Sequence, residues 1–293
     1  MIQVRNLTRS YGDLMAVDDI SFGVSGGRFT GFVGGNGAGK TTTMRMMMGL
    51  LQPDSGEVLF DGRPITRHDR ARIGYMPEER GLYPKQSVRS QLIYLGELHG
   101  MDRTAARTAA DALLDRFGLT DRAKDKLETL SLGNQQRVQI AAAVLYEPVG
   151  LILDEPFSGL DPDAVDEMHA VLTEFTSKGV PVLFSSHRLD LVERLCDDIV
   201  IIAGGKIVAS GSVRELRDAG QTQHRIQCDA DLGWLRDFPG VHVLDLDGTE
   251  AQVEFANDRV EQQVLQEALA RGPVRAFGPT LRPLSHIYRE VTR

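Results

Sequence analysis

Apolar and polar residues alternate over short stretches near the start of the chain, at residues 2–5 and 20–24, which is typical of half-buried strands. A continuous apolar run at 29–33 predicts a buried strand. It leads directly into a glycine-rich segment, after which we expect a helix over 41–48 that ends at Gly49. The order of strand, glycine-rich turn and helix predicts the start of an α/β domain.

The middle of the chain, about residues 87–143, contains alanine-rich stretches, with Gly118 as a C-terminal cap, and predicts a helical subdomain. Two strongly apolar runs follow, at 150–153 and 180–185, and a helix is expected between them over 163–177. A strand, a helix and a second strand at this spacing predict parallel neighbours in one sheet.

The character of the sequence changes beyond Gly211, where short alternating segments replace the long apolar runs. Helices are predicted there over 258–271 and 284–291. The expected strands are 225–229, 241–246, 251–255 and 274–277. We therefore predict an α/β domain at 1–215 and a small α+β accessory domain at 216–293.

Composition and charge narrow the class of protein. Of the 293 residues, 42% are hydrophobic, which is enough to build a core. The 33 lysines and arginines are outnumbered by 41 aspartates and glutamates, so bulk electrostatics do not favour nucleic acid as a partner. Only Cys196 and Cys228 are present, which excludes a disulfide framework. The sequence shows neither a run of 18 apolar residues nor a signal peptide, and a cytoplasmic location is expected.

The strongest chemical signal is Gly34-x-x-x-x-Gly39-Lys40-Thr41, placed between the predicted strand and helix. Glycines let successive backbone N–H groups turn toward one point and hold phosphate oxygens. Lys40 is expected to reach the β- and γ-phosphates, and Thr41 to offer its hydroxyl to Mg²⁺. A dinucleotide-binding loop would explain the glycines but not Lys40 or Thr41. The predicted phosphate-binding residues are Gly34, Asn36, Gly37, Ala38, Gly39, Lys40, Thr41 and Thr42.

Two acids end the apolar run at 150–153, and a histidine ends the next run. Ligands bind at the carboxyl edge of such sheets, so Asp154 suits a Mg²⁺ partner and Glu155 a base that orients the attacking water. Acid pairs are common at strand ends, and the phosphate loop is what makes this pair informative. His187 can point at the same edge and contact the γ-phosphate, although a lone histidine is more often a packing or surface residue.

The ordered set of motifs resembles the nucleotide-binding subunit of ABC transporters over about residues 1–210. The segment Leu130-Ser131-Leu132-Gly133-Asn134-Gln135-Gln136-Arg137-Val138 is similar to the signature that opens a helix in that family. Ser158-Gly159-Leu160-Asp161 is similar to the loop after the acid pair. The resemblance implies a P-loop ABC-type ATPase core, a mixed sheet with a helical subdomain. It also implies that Tyr11 stacks on adenine and that Ser131, Gly133 and Asp161 contribute to nucleotide binding.

A narrower resemblance is to a bacterial exporter branch that includes sodium-efflux-type ATPases and carries a C-terminal accessory domain. It rests on Gly133-Asn134-Gln135-Gln136 and on the segment 74–84. Some positions depart from the broader pattern: Gly35 replaces proline, Leu132 and Asn134 replace glycine and glutamine, and Glu78 replaces glutamine. Glu78 either faces Mg²⁺ or points away and pairs with a cation such as Arg80.

The resemblance implies a function built on ATP and Mg²⁺. Two ATPase subunits, identical or different, would sandwich ATP, and closure of that dimer would drive an integral membrane permease on a separate chain. The chain would then be peripheral on the inner face of the cell membrane, without nucleic acid as a partner. The alternative is a soluble ABC ATPase that acts on nucleic acid or ribosomes, but such proteins usually carry two tandem cores or a long coiled coil. The transported substrate stays open.

Overall fold

The computed structural model describes residues 1–79, 81–218, 223–280 and 288. It contains two compact units, Met1–Val213 and Arg214–Val291. The strands of the first unit are β1 (Ile2–Tyr11), β2 (Leu14–Val24), β3 (Phe29–Val33), β4 (Ser55–Phe60), β5 (Arg63–Pro64), β6 (Ile73–Met76), β7 (Gly150–Leu153), β8 (Val182–Ser186), β9 (Asp198–Ala203) and β10 (Lys206–Ser212). The helices that begin in the first unit are α1 (Lys40–Met47), α2 (Arg67–Ala71), α3 (Val88–Leu98), α4 (Arg103–Arg116), α5 (Leu132–Val144), α6 (Pro162–Ser177), α7 (Leu189–Leu195) and α8 (Val213–Asp218).

The first unit is built on two sheets, as the predicted mixed α/β core requires. An antiparallel sheet has the strand order β2-β1-β4-β5. The second sheet has the order β10-β9-β3-β8-β7-β6, in which β10 pairs antiparallel with β9 and the other neighbours are parallel. The predicted parallel pairing of β7 with β8 is confirmed. The carboxyl ends of β3, β6, β7 and β8 therefore meet at one edge of this sheet.

Helix α1 packs into the core between the sheets through its methionines. Met44, Met46 and Met47 are each no more than 1% exposed, so they fill the core as expected of buried methionine. The helix begins at Lys40, one residue before the predicted start. This packing fixes the segment between β3 and α1 against the sheet edge.

Several strands are longer or additional compared with the sequence prediction. β1 continues to Tyr11, and β2 begins at Leu14. Periodicity does not reveal the full length of these strands, because register shifts between them interrupt the strict alternation of apolar and polar residues. β6 is short and contains Gly74, where a Cβ would lie 2.2 Å from the carbonyl oxygen of Ala143. A strand so short gives little periodic signal, and neither it nor β4 was predicted.

The predicted helical subdomain contains α3, α4 and α5, and α3 packs against the other two. Each of these helices begins at a side-chain cap: Ser87 for α3, Asp102 for α4 and Ser131 for α5. These side-chain oxygens accept from backbone N–H groups that have no partner within the helix. Among the described residues, no helix combines the length and the apolar character that crossing a bilayer requires.

The second unit is an antiparallel sheet covered by one long helix. Its elements are β11 (Gln223–Cys228), β12 (Val241–Asp247), β13 (Glu250–Phe255), α9 (Asp258–Arg271) and β14 (Val274–Thr280). The strand order is β12-β13-β11-β14. Ile226, Val253 and Val264 are fully buried between the sheet and α9. The α+β character predicted for this region is confirmed, whereas the helix predicted for 284–291 lies outside the described residues apart from residue 288.

Candidate active site

The segment between β3 and α1 turns sharply because of its glycines. β3 is buried along its whole length and delivers the chain to the sheet edge at Gly34. Gly37 has φ 78° and Gly39 has φ 109°, conformations that glycine adopts without strain. A Cβ on Gly39 would lie 2.6 Å from the carbonyl oxygen of Ala16. Only glycine fits at this position, and the loop is thereby drawn tightly around the start of α1.

Lys40 is held by this loop. Its side chain is only 7% exposed, although lysine is rarely buried without a partner. Its ammonium group donates to the carbonyl oxygen of Gly34 at 2.7 Å and to that of Gly35 at 3.2 Å. The positive charge is therefore fixed at the mouth of the loop, where it can neutralise a phosphate.

A cavity of about 300 Å³ opens in front of the loop. Its lining residues are Tyr11, Leu14, Ala16, Asn36, Gly37, Ala38, Gly39, Lys40, Thr41, Thr42, Glu78, Asp154 and Glu155. The structure thus brings the phosphate loop, both acids and the predicted adenine-stacking residue to one space. The other predicted site residues, Gly34, Ser131, Gly133, Asp161 and His187, are not among the described residues that line it.

The acid pair follows β7 and is organised by a serine of β8. Asp154 is 1% exposed, and one of its carboxylate oxygens accepts from the hydroxyl of Ser185. That hydroxyl also accepts from the backbone N–H of Glu155 at 2.8 Å. The other oxygen of Asp154, Oδ2, is buried and has no hydrogen-bond partner in the described part of the chain. Since a buried carboxylate oxygen without a partner is costly, Oδ2 marks a place for a cation or a donor.

Glu155 has an unusual backbone and a specific side-chain partner. Its φ is 50°, a left-handed conformation that costs energy for a residue other than glycine and that clusters at functional sites. Its Oε1 lies 3.0 Å from Nδ1 of His187. The Glu155 side chain is 12% exposed and that of His187 is 51% exposed. The histidine therefore lies beside the acid, at the edge that the sequence predicted.

The residues present fit a magnesium ion. The hydroxyl of Thr41 donates to Oε2 of Glu78 at 3.3 Å, so Glu78 faces the cavity, and Arg80 lies outside the described residues. Thr41, Glu78 and Asp154, which all carry side-chain oxygens, line the same cavity. Among the described residues, no group of three His, Cys, Asp or Glu side chains forms a protein-only metal cage. Mg²⁺ is commonly held by one or two carboxylates together with substrate phosphates, which agrees with this arrangement.

The signature segment and the loop after the acid pair have local contacts of their own. Ser131 caps α5 and accepts from the N–H of Asn134, and Asp161 caps α6 and accepts from the N–H of Ala164 at 2.8 Å. A Cβ on Gly133 would lie 3.3 Å from Leu160. Leu132, where the family pattern has glycine, is 60% exposed. It lines a neighbouring cavity of about 340 Å³ together with Asn36, Glu78, Gln136, Glu155, Ser158, Gly159 and His187.

The sequence reasoning missed residues that organise the site. Ser185 is the second-last residue of β8 and lies beside Asp154, since β7 and β8 pair in register at Leu153 and Phe184. A polar residue near that strand end was the available signal. The amide of Gln136 donates to the carbonyl oxygens of Glu155 and Pro156, a contact that local pattern does not reveal.

Comparisons with known proteins agree with this geometry. The profile of the ABC transporter family matches residues 17–158, and that of the C-terminal domain of DrrA1-3-like ATP-binding proteins matches residues 211–292. The chain is 40% identical to the uncharacterized ABC transporter ATP-binding protein YhaQ of Bacillus subtilis (strain 168), over 94% of this chain and 93% of that protein. It is 37% identical to the Nod factor export ATP-binding protein I of Burkholderia orbicola (strain AU 1054), over 78% and 74% of the two chains.

A solved structure of an ATP-binding subunit of an ABC transporter superimposes with a TM-score of 0.69 and 31% identity, covering 75% of this chain and 92% of that one. The prediction of a transporter ATPase is confirmed, and the alternative of an ABC ATPase acting on nucleic acid or ribosomes is not supported. The chain belongs to the ATP-binding subunits of ABC transporters, a family of ATPases.

Proposed function

We propose that the cavity in front of the phosphate loop binds ATP with Mg²⁺ and hydrolyses it, and that this chain powers an exporter. The observation that carries the proposal is that Lys40, Thr41, Asp154 and Glu155 line one cavity. They supply a phosphate-neutralising cation, hydroxyl and carboxylate oxygens, and a candidate base. Phosphoryl transfer needs these groups because its catalysis depends on positioning and on charge stabilisation.

Substrate phosphates would be held by the loop. The first residues of α1, Lys40, Thr41 and Thr42, line the cavity, and the helix dipole favours anions at this end of the helix. Lys40 lies at the mouth of the loop and adds a charge-assisted contact. Asn36 and Thr42 line the same space and can donate to phosphate oxygens. Tyr11 also lines this cavity, is 47% exposed and would offer an aromatic surface to the adenine.

The residues that would hold Mg²⁺ are Thr41, Asp154 and Glu78. Support comes from the partnerless Oδ2 of Asp154 and from the hydrogen bond between Thr41 and Glu78. The ion, when bound, neutralises charge that develops on the β- and γ-phosphates.

Glu155 would orient the attacking water and accept its proton. Its backbone is fixed by the bond from its own N–H to Ser185, and its carboxylate lies beside His187. When Nδ1 of His187 carries the proton, it donates to Glu155 and holds the carboxylate in one orientation. His187 is half exposed next to the cavity and would contact the γ-phosphate.

Ser131, Gly133 and Asp161 would act on the nucleotide of a second ATPase subunit. They do not line the cavity of their own chain within the described residues, and Ser131 and Asp161 are exposed. In the family, the signature segment of one subunit faces the phosphate loop of the other. We therefore propose an ATP-closed dimer, of identical or different subunits.

The chain would work with an integral membrane permease on a separate polypeptide, at the inner face of the cell membrane. Export is supported by the name of the Burkholderia relative, a Nod factor export ATP-binding protein. We propose 1–215 as the ATPase domain, with the helical subdomain at 87–143, and 216–293 as the accessory domain. The division of the structure at Val213 and Arg214 supports this boundary.

Two variants test the proposed function by separating binding from hydrolysis. Lys40→Ala should weaken ATP binding about 10- to 100-fold, because a charge-assisted phosphate contact is lost. Glu155→Gln should keep ATP affinity and lower the rate of phosphate release about 100-fold or more. Glu57→Gln, the same chemical change on an exposed part of β4, serves as the control. Normal turnover in both variants would overturn the assignment of this cavity.

The proposed dimer is tested with the same Glu155→Gln chain. Unhydrolysed ATP should hold two chains together, so the variant should elute as a dimer with Mg²⁺ and ATP and as a monomer without them. A monomer at high protein concentration, with ATP bound, would count against a sandwich formed by this chain alone.

A further inference from the structure

One face of the Tyr11 ring is covered by a cation. The guanidinium carbon of Arg9 lies 5.1 Å from the ring centroid of Tyr11, within the range of a cation–π interaction. The two residues are two positions apart on β1. Tyr11 also borders the cavity together with Leu14 and Ala16. Since Arg9 covers one face of the ring, the opposite face is left for a ligand.

Arg9 is itself fixed in place. Its Nη1 donates to Oδ1 of Asp54 at 2.7 Å and to the carbonyl oxygen of Gln52 at 3.3 Å. The Arg9 side chain is 26% exposed, so this ion pair is partly shielded from water. A guanidinium held by two acceptors loses little freedom when a ligand binds in front of the ring.

Asp54 also ties down the strand that carries Tyr11. The paired register of β1 and β4 reaches Thr8 and Ser55, and the N–H of Asp54 donates to the carbonyl oxygen of Thr8 at 2.9 Å. Beyond that point, Oδ2 of Asp54 accepts from the N–H of Ser10 at 2.7 Å. The Asp54 carboxylate therefore extends the hydrogen bonding between β1 and β4 as far as Ser10, the residue before Tyr11. The Ser10 N–H and the charge of Arg9 lower the pKa of Asp54, so the carboxylate is ionised at neutral pH.

We infer that Arg9 and Asp54 are positioning residues for the nucleotide base. Asp54 fixes the end of β1 and the guanidinium of Arg9, and Arg9 holds the Tyr11 ring with one face toward the base. This inference rests on the proposed function, in which Tyr11 stacks on adenine. It assigns these residues an effect on the base alone, because within the described part of the chain neither lines the cavity in front of the phosphate loop.

Base-dependent binding provides the test. We expect Arg9→Met, which keeps the aliphatic stem, and Asp54→Ala to raise the Kd for Mg·ATP about three- to tenfold. The Kd for inorganic tripolyphosphate with Mg²⁺, measured by the same titration calorimetry, should stay unchanged. Arg5→Met is the matched control, since Arg5 lies on the same strand but is exposed, and its guanidinium donates to Oε1 of Gln3 at 3.3 Å. An equal loss for both ligands would overturn the inference, because it would indicate a general structural role.

A double-mutant cycle gives a second, independent measurement. In a Tyr11→Ala background, Arg9→Met should not weaken ATP binding further, because Arg9 acts through the ring that has been removed. Additive losses would overturn the inference. If Tyr11→Ala weakens ATP binding while Arg9→Met and Asp54→Ala do not, the inference fails and the stacking role stands. If Tyr11→Ala has no effect on ATP binding, the stacking role in the proposed function fails together with the inference.

Discussion

The side-chain amide of Gln136 lies 3.0 Å from the carbonyl oxygen of Glu155, and the same nitrogen lies 2.8 Å from the next carbonyl, that of Pro156. An amide nitrogen has two hydrogens, so both bonds can form together. These two hydrogen bonds hold the backbone where the chain leaves β7, at the residue with positive φ, Glu155, and at the residue after it. Helix α5, which begins at the Ser131 cap, is thereby connected to the backbone of the candidate base.

Gln136 is therefore expected to position the backbone of Glu155 for hydrolysis. Gln136→Leu removes both bonds, and we expect kcat for ATP hydrolysis to fall about 3- to 30-fold, with the Kd for ATP nearly unchanged. Gln139→Leu is the control, because Gln139 lies one turn further along α5 and neither of its amide atoms has a partner among the described residues. A similar fall in kcat for both variants would assign the effect to helix packing.

Ser185 connects the two acids, and its loss should affect stability as well as activity. Ser185→Ala removes the donor to Asp154, in a buried hydrogen bond, and the acceptor for the Glu155 N–H, in a partly buried one. We expect the free energy of unfolding to fall by about 1–3 kcal/mol in denaturant titrations without nucleotide. Thr30→Val, on the neighbouring strand β3, removes a buried hydroxyl that has no hydrogen-bond partner within the described residues, and it should cost far less. Equal losses for the two variants would contradict the bridging role of Ser185.

Much of this site is visible in the sequence because local pattern determines it. The phosphate loop lies between a buried apolar strand and a helix, and its glycines are needed for positive φ and close approach. Asp154 and Glu155 follow an apolar run, so their position at the carboxyl edge of the parallel sheet could be deduced. Each of these features depends on residues that are adjacent in the chain.

The remaining features depend on pairing and packing between distant segments. The bond from Gln136 to Glu155 spans 19 residues, and that from Ser185 to Asp154 spans 31. Detecting them requires the register of β7 on β8 and the placement of α5, which no short segment encodes. The contact of Asp54 with Ser10 spans 44 residues. It depends on the pairing of β1 with β4, a strand that the sequence pattern does not predict.

The proposed domain boundary leads to an expectation for a truncated chain. Every predicted ATPase motif precedes Gly211, and the first compact unit ends at Val213. A chain that stops at residue 215 should therefore fold cooperatively and bind Mg·ATP with an affinity within about threefold of the full chain. Circular dichroism melting and titration calorimetry would measure both properties. An insoluble product, or one without nucleotide affinity, would show that the second unit completes the core.

Glu78 replaces the glutamine that is usual in the family, and it lies at the proposed Mg²⁺ site. Its Oε2 accepts from the hydroxyl of Thr41 at 3.3 Å, and it lines the cavity together with Asp154 and Glu155. A carboxylate here adds a negative charge to a cavity that already holds two acids and would receive a triphosphate. Such charges repel each other, and a divalent cation between them relieves the repulsion.

Glu78→Gln, which restores the residue usual in the family, should therefore change how hydrolysis depends on Mg²⁺. The amide keeps an acceptor oxygen but loses the charge, and we expect the Mg²⁺ concentration for half-maximal hydrolysis to rise about three- to tenfold at saturating ATP. ATP affinity measured at saturating Mg²⁺ should change little, because Lys40 and the loop are untouched. Glu79→Gln is the control, since Glu79 is the adjacent exposed acid and does not line the cavity. If wild type and Glu78→Gln give superimposable Mg²⁺ curves, Glu78 holds Thr41 for structural reasons and does not face the ion.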